Sequence, residues 1–358
     1  MNFSPEFALA LECCRWNFPS AARPPIDPPK GVDWPHFLRL VRFHRIQGLV
    51  WAALGKAGLP ASAASALSAD ARVVAALNLK PAAECWTLAD AFAKAGIDLL
   101  FVKGLTLSAL AYRDPFVKMS SDIDILVEQD AVERSAGILH DLGFRAVVPS
   151  ASTSAAVAKW HVRNKESAWV NRDNGLVVEL LTRLADNARL IPDIGMRSPR
   201  QLVPIGGGRV LPTLAIDELL SYLFVHGAGS AWFRLKWIAD VAAILAGMDA
   251  DAVERIYRFA RASTAGRAPA QALLLANRLF GLELAPALRE ELGRDAINRI
   301  LLKVAVHELL KVDEPTSRLG GTAIFHLTRP LLLEGWRFAL GEVSRQVQDV
   351  AGRRLPFR

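Results

Sequence analysis

Asp122 and Asp124 stand two residues apart in the apolar string Ser121-Asp-Ile-Asp-Ile-Leu-Val127. Side chains alternate along a strand, so both carboxylates leave one face while Ile123 and Ile125 leave the other. Two acids side by side repel and lose hydration, and a divalent cation between them offsets both costs. A third acid, Glu179, is alone in Leu176-Val-Val-Glu-Leu-Leu181. A buried carboxylate without a partner is costly, so Glu179 calls either for a metal shared with the two aspartates or for an arginine.

These acids need strands, and the surrounding pattern supplies them. An apolar run over 97–102 predicts a strand ending in a turn at Lys103-Gly104. A helix follows over 104–113, then a loop at Asp114-Pro115 and the aspartate strand over 121–127. A helix over 129–142 closes at Gly143, and a short strand over 144–148 comes next. Segments 167–172 and 176–181 flank Asp173-Asn174-Gly175, a hairpin turn favoured for its positive φ angles. Alternating strand and helix argue for a mixed α/β unit.

Residues 1–80 read as helical, interrupted by the stiff cluster Pro24-Pro-Ile-Asp-Pro-Pro29, and the helical spacing over 34–54 includes His44 and Arg45. That pair reads as satisfied at a helix packing face. Segment 61–71 reads as a loop entering a helix, and a new helix starts at Pro81. From about Leu214 onward the pattern is helical. The expected fold class is α+β. A small mixed-sheet core over 81–213 is flanked by an N-terminal helical segment (1–80) and a C-terminal helical domain (214–358).

The order Lys-Gly, then Tyr-x-Asp-Pro, then Ser-Asp-Ile-Asp-Ile-Leu-Val resembles the nucleotidyltransferase (polymerase-beta-like) superfamily. Within it, the string is similar to the bacterial branch described as uncharacterised nucleotidyltransferases. His226, Trp232, Arg234-Leu235, Trp237 and Asp240 resemble a second signature of that branch, although His226, Arg234 and Asp240 also read as ordinary helix-packing groups. The resemblance implies transfer of a nucleoside monophosphate from a triphosphate such as ATP to a small-molecule, peptide or protein acceptor. Asp122, Asp124 and Glu179 would then be the catalytic carboxylates and the ligands of two magnesium ions. Gly104, opening a helix, would let backbone N–H groups approach the triphosphate, and Lys103 and Lys118 would neutralise phosphate charge. By residue type alone, Lys103-Gly104 is an ordinary strand-to-helix turn and Lys118 an exposed loop cation. The branch commonly carries His-Trp where this chain has Leu181-Thr182. The alternative is a catalytically weak or inactive fold serving as a binding or scaffold subunit.

Composition narrows the partners. The chain has 358 residues and a formal net charge of +7. Its basic residues are scattered, with no block longer than Arg353-Arg354, so a solvated basic surface is expected and nucleic acid is not the expected partner. No window approaches 18 consecutive apolar residues, which argues against a membrane span. The N-terminus lacks a basic n-region, and Cys13, Cys14 and Cys85 lack metal-ligand spacing, which suggests buried thiols in a cytoplasmic protein.

Overall fold

The computed structural model describes residues 3–19, 22–55, 57–120, 122–151, 153–318 and 321–354, with side chains to 347. Strands β1 (Leu100–Phe101), β2 (Asp122–Leu126), β3 (Phe144–Val148), β4 (Glu166–Asn171) and β5 (Val177–Leu181) form one sheet in the order β1-β2-β5-β4-β3. β2 runs parallel to β5, and the other neighbours are antiparallel. The sequence reading begins the aspartate strand at Ser121, which lies outside the described residues. The expected hairpin is present, with Gly175 at φ 74° in its turn. A second hairpin, β6 (Arg200–Pro204) and β7 (Val210–Leu214), was not expected; Pro204 and Pro212 hide its alternation. The first strand is shorter than the apolar run that announces it.

The two faces of the sheet meet different neighbours. Ile123, Ile125, Val178 and Leu180 pack into a core with Phe92, Leu139 and Trp169. Leu126 and Leu181 join a larger core that links the N-terminal helices Pro5–Trp16 and Trp34–His44 to the C-terminal helices Ile216–Gly229, Leu235–Leu245 and Ala268–Phe280. Each fully buried aliphatic or aromatic side chain there contributes about 1.5–3 kcal/mol. The aspartate face of β2 is thus turned toward helices drawn from both ends of the chain.

Two local expectations change. Helix Ala61–Lys94 is continuous through Pro81, so the segment over 61–71 is helical from its start and no new helix begins at Pro81. Proline removes one backbone hydrogen bond, but Pro81 is buried within a helix of 34 residues whose other turns remain bonded. The helical pattern over 34–54 is two helices, Trp34–His44 and Gln47–Leu54, parted by Arg45 in the left-handed conformation (φ 55°, ψ 44°). Cys13, Cys14 and Cys85 are buried free thiols, and no described helix is long and apolar enough to cross a membrane.

Candidate metal centre

The parallel pairing of β2 with β5 sets Asp124 opposite Glu179 and Asp122 opposite Val177. Registered residues on neighbouring strands project from the same face, so strand alternation and pairing together put all three acids on one side. One oxygen from each of Asp122, Asp124 and Glu179 lies within 4.8 Å of the others. Modest rotamer changes would bring such oxygens to the ~3 Å spacing of adjacent ligands around a hard cation with ~2.1 Å bonds.

The electrostatics of the cluster fit a cation. Asp124 is buried, and its Oδ1 accepts no well-directed hydrogen bond. Burial, with the neighbouring Asp124 charge, pushes the Glu179 carboxyl from its ordinary 4.5 up to about 8; Lys103 works in the opposite sense. The protonated form of Glu179 is therefore favoured near neutral pH. A divalent ion reverses that balance, because it favours the ionised form of every ligand.

Lys103 is the cation already present. Its Nζ lies 2.7 Å from Asp124 Oδ1, as an ion pair without hydrogen-bond alignment. Burial opposes its charge, but Asp124, Tyr222, Glu179 and Asp122 outweigh burial and hold its pKa well above the ordinary value. The next residue, Gly104, caps helix Leu105–Tyr112 at φ 67° and ψ −125°. A Cβ there would come within 2.9 Å of Ser120 Oγ, so the turn needs glycine.

Lys118 is not an exposed loop cation. It is buried in an ion pair with Asp240, whose other oxygen accepts a hydrogen bond from Tyr112 Oη at 2.9 Å. Arg234 pairs with Glu314 and covers the rings of Phe43 and Phe233. His226 lies between Tyr222 and Trp237, and burial with nearby lysines holds it neutral. His44 is buried and accepts a hydrogen bond from the Leu235 N–H at Nδ1. The packing reading of His44, His226, Arg234 and Asp240 thus describes their contacts, whereas Arg45, expected to be satisfied beside His44, lines the cavity with no ion pair or side-chain hydrogen bond among the described residues.

These residues frame a cavity of about 280 Å³ against the sheet face, lined by Asp122, Asp124, Glu179, Lys103, Lys118 and Asp240, and also by Arg45, Lys165, Glu166, His226 and Lys236. Arg45, Lys165, Tyr222 and Lys236 were not singled out by sequence reasoning as site residues. The only available signal was the position of Lys236 inside the Arg-Leu-x-Trp string. Where the branch carries His-Trp, Leu181 is buried in the core, and Thr182 Oγ1 lies 3.3 Å from His161 Nδ1.

The family model described as uncharacterised nucleotidyltransferase matches residues 30–281. No curated protein matches the chain. The matched span includes every acid of the triad, the Lys103-Gly104 turn and helices Trp34–His44 and Leu235–Leu245.

Proposed function

Because the chain belongs to the uncharacterised nucleotidyltransferase family, we propose that it moves a nucleoside monophosphate from a nucleoside triphosphate to a small-molecule, peptide or protein acceptor. In this reading Asp122, Asp124 and Glu179 hold magnesium. The observation that carries it is the convergence of three carboxylate oxygens within 4.8 Å on one sheet face. Magnesium held there would supply charge neutralisation for the phosphate oxygens and for the attacking and leaving oxygens.

The chain's own residues do the rest. An oxygen of Glu179 accepts the proton of the acceptor hydroxyl as its oxygen bonds to the α-phosphorus. The α–β bridging bond breaks, and its electron pair leaves with pyrophosphate. Lys103, held beside Asp124, would neutralise phosphate charge. The backbone N–H groups that open helix Leu105–Tyr112 face a phosphate with no intrahelical partner. Lys118 and Asp240 form a buried ion pair in the cavity wall, with Asp240 also held by the hydrogen bond from Tyr112.

Asp122→Ala and Asp124→Ala are each expected to abolish transfer from an α-phosphate-labelled triphosphate while the far-ultraviolet spectrum stays native. Turnover like that of the unmodified protein in either variant would refute the metal-ligand roles of the two aspartates. The Lys103–Asp124 pair favours one other reading, a binding or scaffold subunit, because an ammonium group sits against a would-be metal ligand. Titration with magnesium and nucleotide separates the two readings. Absence of binding at millimolar nucleotide would support the scaffold.

A further inference from the structure

The cavity's cations are not equivalent. Lys103 faces Asp124, Lys118 faces Asp240, and Lys165 faces Glu166 and Asp186 at 2.9 and 3.3 Å. Arg45 and Lys236 line the same cavity, are half-buried, and enter no ion pair or side-chain hydrogen bond among the described residues. They come from separate elements, Arg45 from the cap of helix Trp34–His44 and Lys236 from the first turn of helix Leu235–Leu245. Both belong to the helical wall, whereas the three acids belong to the sheet wall.

Two features make this pair more than surface charge. Arg45 is in the left-handed conformation, where a helix ordinarily ends on glycine and a side chain is strained. Lys236 carries its charge at a loss: burial, then Lys118 and Arg45, push its pKa down to about 7, and Asp240 and Asp122 only partly offset them. Like charges lining one cavity with no direct ion-pair partner are stabilised by an anion between them, as the triad is by a cation.

We infer that Arg45 and Lys236 form an oxyanion subsite for a phosphate-type group on the helical wall of the cavity. It rests on the nucleotidyl-transfer reading only for which molecule carries the anion, either the triphosphate tail of the nucleotide or an anionic group of the acceptor. The planar guanidinium offers paired donors to two oxygens, and the ammonium acts as a point charge beside it. A metal-bound polyphosphate would then meet acids through its cation and bases through its oxygens.

The test uses the full chain with inorganic tripolyphosphate in the absence of divalent cation, measured by calorimetry at low salt. Arg45→Gln and Lys236→Gln are each expected to weaken binding tenfold or more, whereas Arg45→Lys and Lys236→Arg retain most of it. Unchanged affinity in both glutamine variants, or no binding by the unmodified protein, would overturn the inference. Thermal melts establish that the variants are folded, and the charge-retaining pair separates lost charge from lost packing. Displacement of a fluorescent nucleoside triphosphate by tripolyphosphate assigns the subsite to the nucleotide, and simultaneous binding assigns it to the acceptor. A parallel manganese titration of Asp124→Asn tests the metal centre separately. Equal manganese binding by that variant and the unmodified protein would overturn the nucleotidyl-transfer reading without touching the anion result.

Discussion

Glu179→Gln should make the metal-free protein more stable while disabling its metal centre. The folded carboxyl titrates near 8, against an ordinary 4.5, because burial and Asp124 disfavour its charge. The folded state therefore holds a proton that the unfolded chain releases once pH exceeds 4.5. The raised pKa contributes stability that is complete below 4.5 and lost as pH rises to about 8. Glutamine imitates the protonated acid at every pH and gives the unfolded chain nothing to ionise. At about 1.4 kcal/mol per pH unit, the interval from 4.5 to neutrality corresponds to roughly 3 kcal/mol. With partial solvent screening of a half-buried group, the expected gain is about 2–3 kcal/mol at pH 7. For a chain of 358 residues this is on the order of 3–4 °C in melting temperature. The assay is a pair of thermal or urea melts in chelator from pH 5 to pH 9, followed by manganese titration. The gain should be smallest at pH 5 and grow toward pH 8, and manganese affinity should fall at least tenfold. A variant as stable as the unmodified protein at pH 8, or less stable, would refute the idea that the three acids repel one another. Retained manganese affinity would refute Glu179 as a ligand.

Three further outcomes test the frame around the site. Gly104→Ala should cost about 1–3 kcal/mol in urea unfolding, since it places a Cβ on a backbone at φ 67° against Ser120 Oγ. Asp240→Asn strips the buried Lys118 of its charge partner and should cost about 3–5 kcal/mol in the same measurement; a loss under 1 kcal/mol would show that Lys118 finds another anion. Burial, with Arg234, pushes the pKa of His44 down from 6.5 to about 3. Its neutral form is favoured on folding, so stability present above pH 6.5 should be lost as pH falls toward 3, by about 1.4 kcal/mol per unit. His44→Gln should flatten that acid slope by one proton, and an unchanged slope would mean that another group carries it.

Local chemistry was legible in the chain and long-range pairing was not. The alternation around Asp122 and Asp124 announces a strand with two acids on one face, because side-chain direction along a strand depends only on neighbouring residues. Asp173-Asn174-Gly175 announces its hairpin for the same reason, as a turn's dihedral demands are local. The isolation of Glu179 among apolar residues shows that it needs a partner, but leaves a metal or an arginine equally open. The register that sets Glu179 opposite Asp124 is a property of the folded sheet, decided by which apolar faces of β2 and β5 pack together. Lys118 looks exposed in its loop, yet it is buried on Asp240, far along the chain, because helix Leu235–Leu245 packs against helix Leu105–Tyr112, which precedes that loop. Arg45 carries no local mark of a site and Lys236 only its place inside the Arg-Leu-x-Trp string, since the lack of an ion-pair partner emerges only once the other charges have found their places. The sequence alone therefore determined which groups could do the chemistry. The tertiary structure decided which of them meet, because the energies of paired, unpaired and desolvated charges depend on neighbours that the chain brings together only on folding.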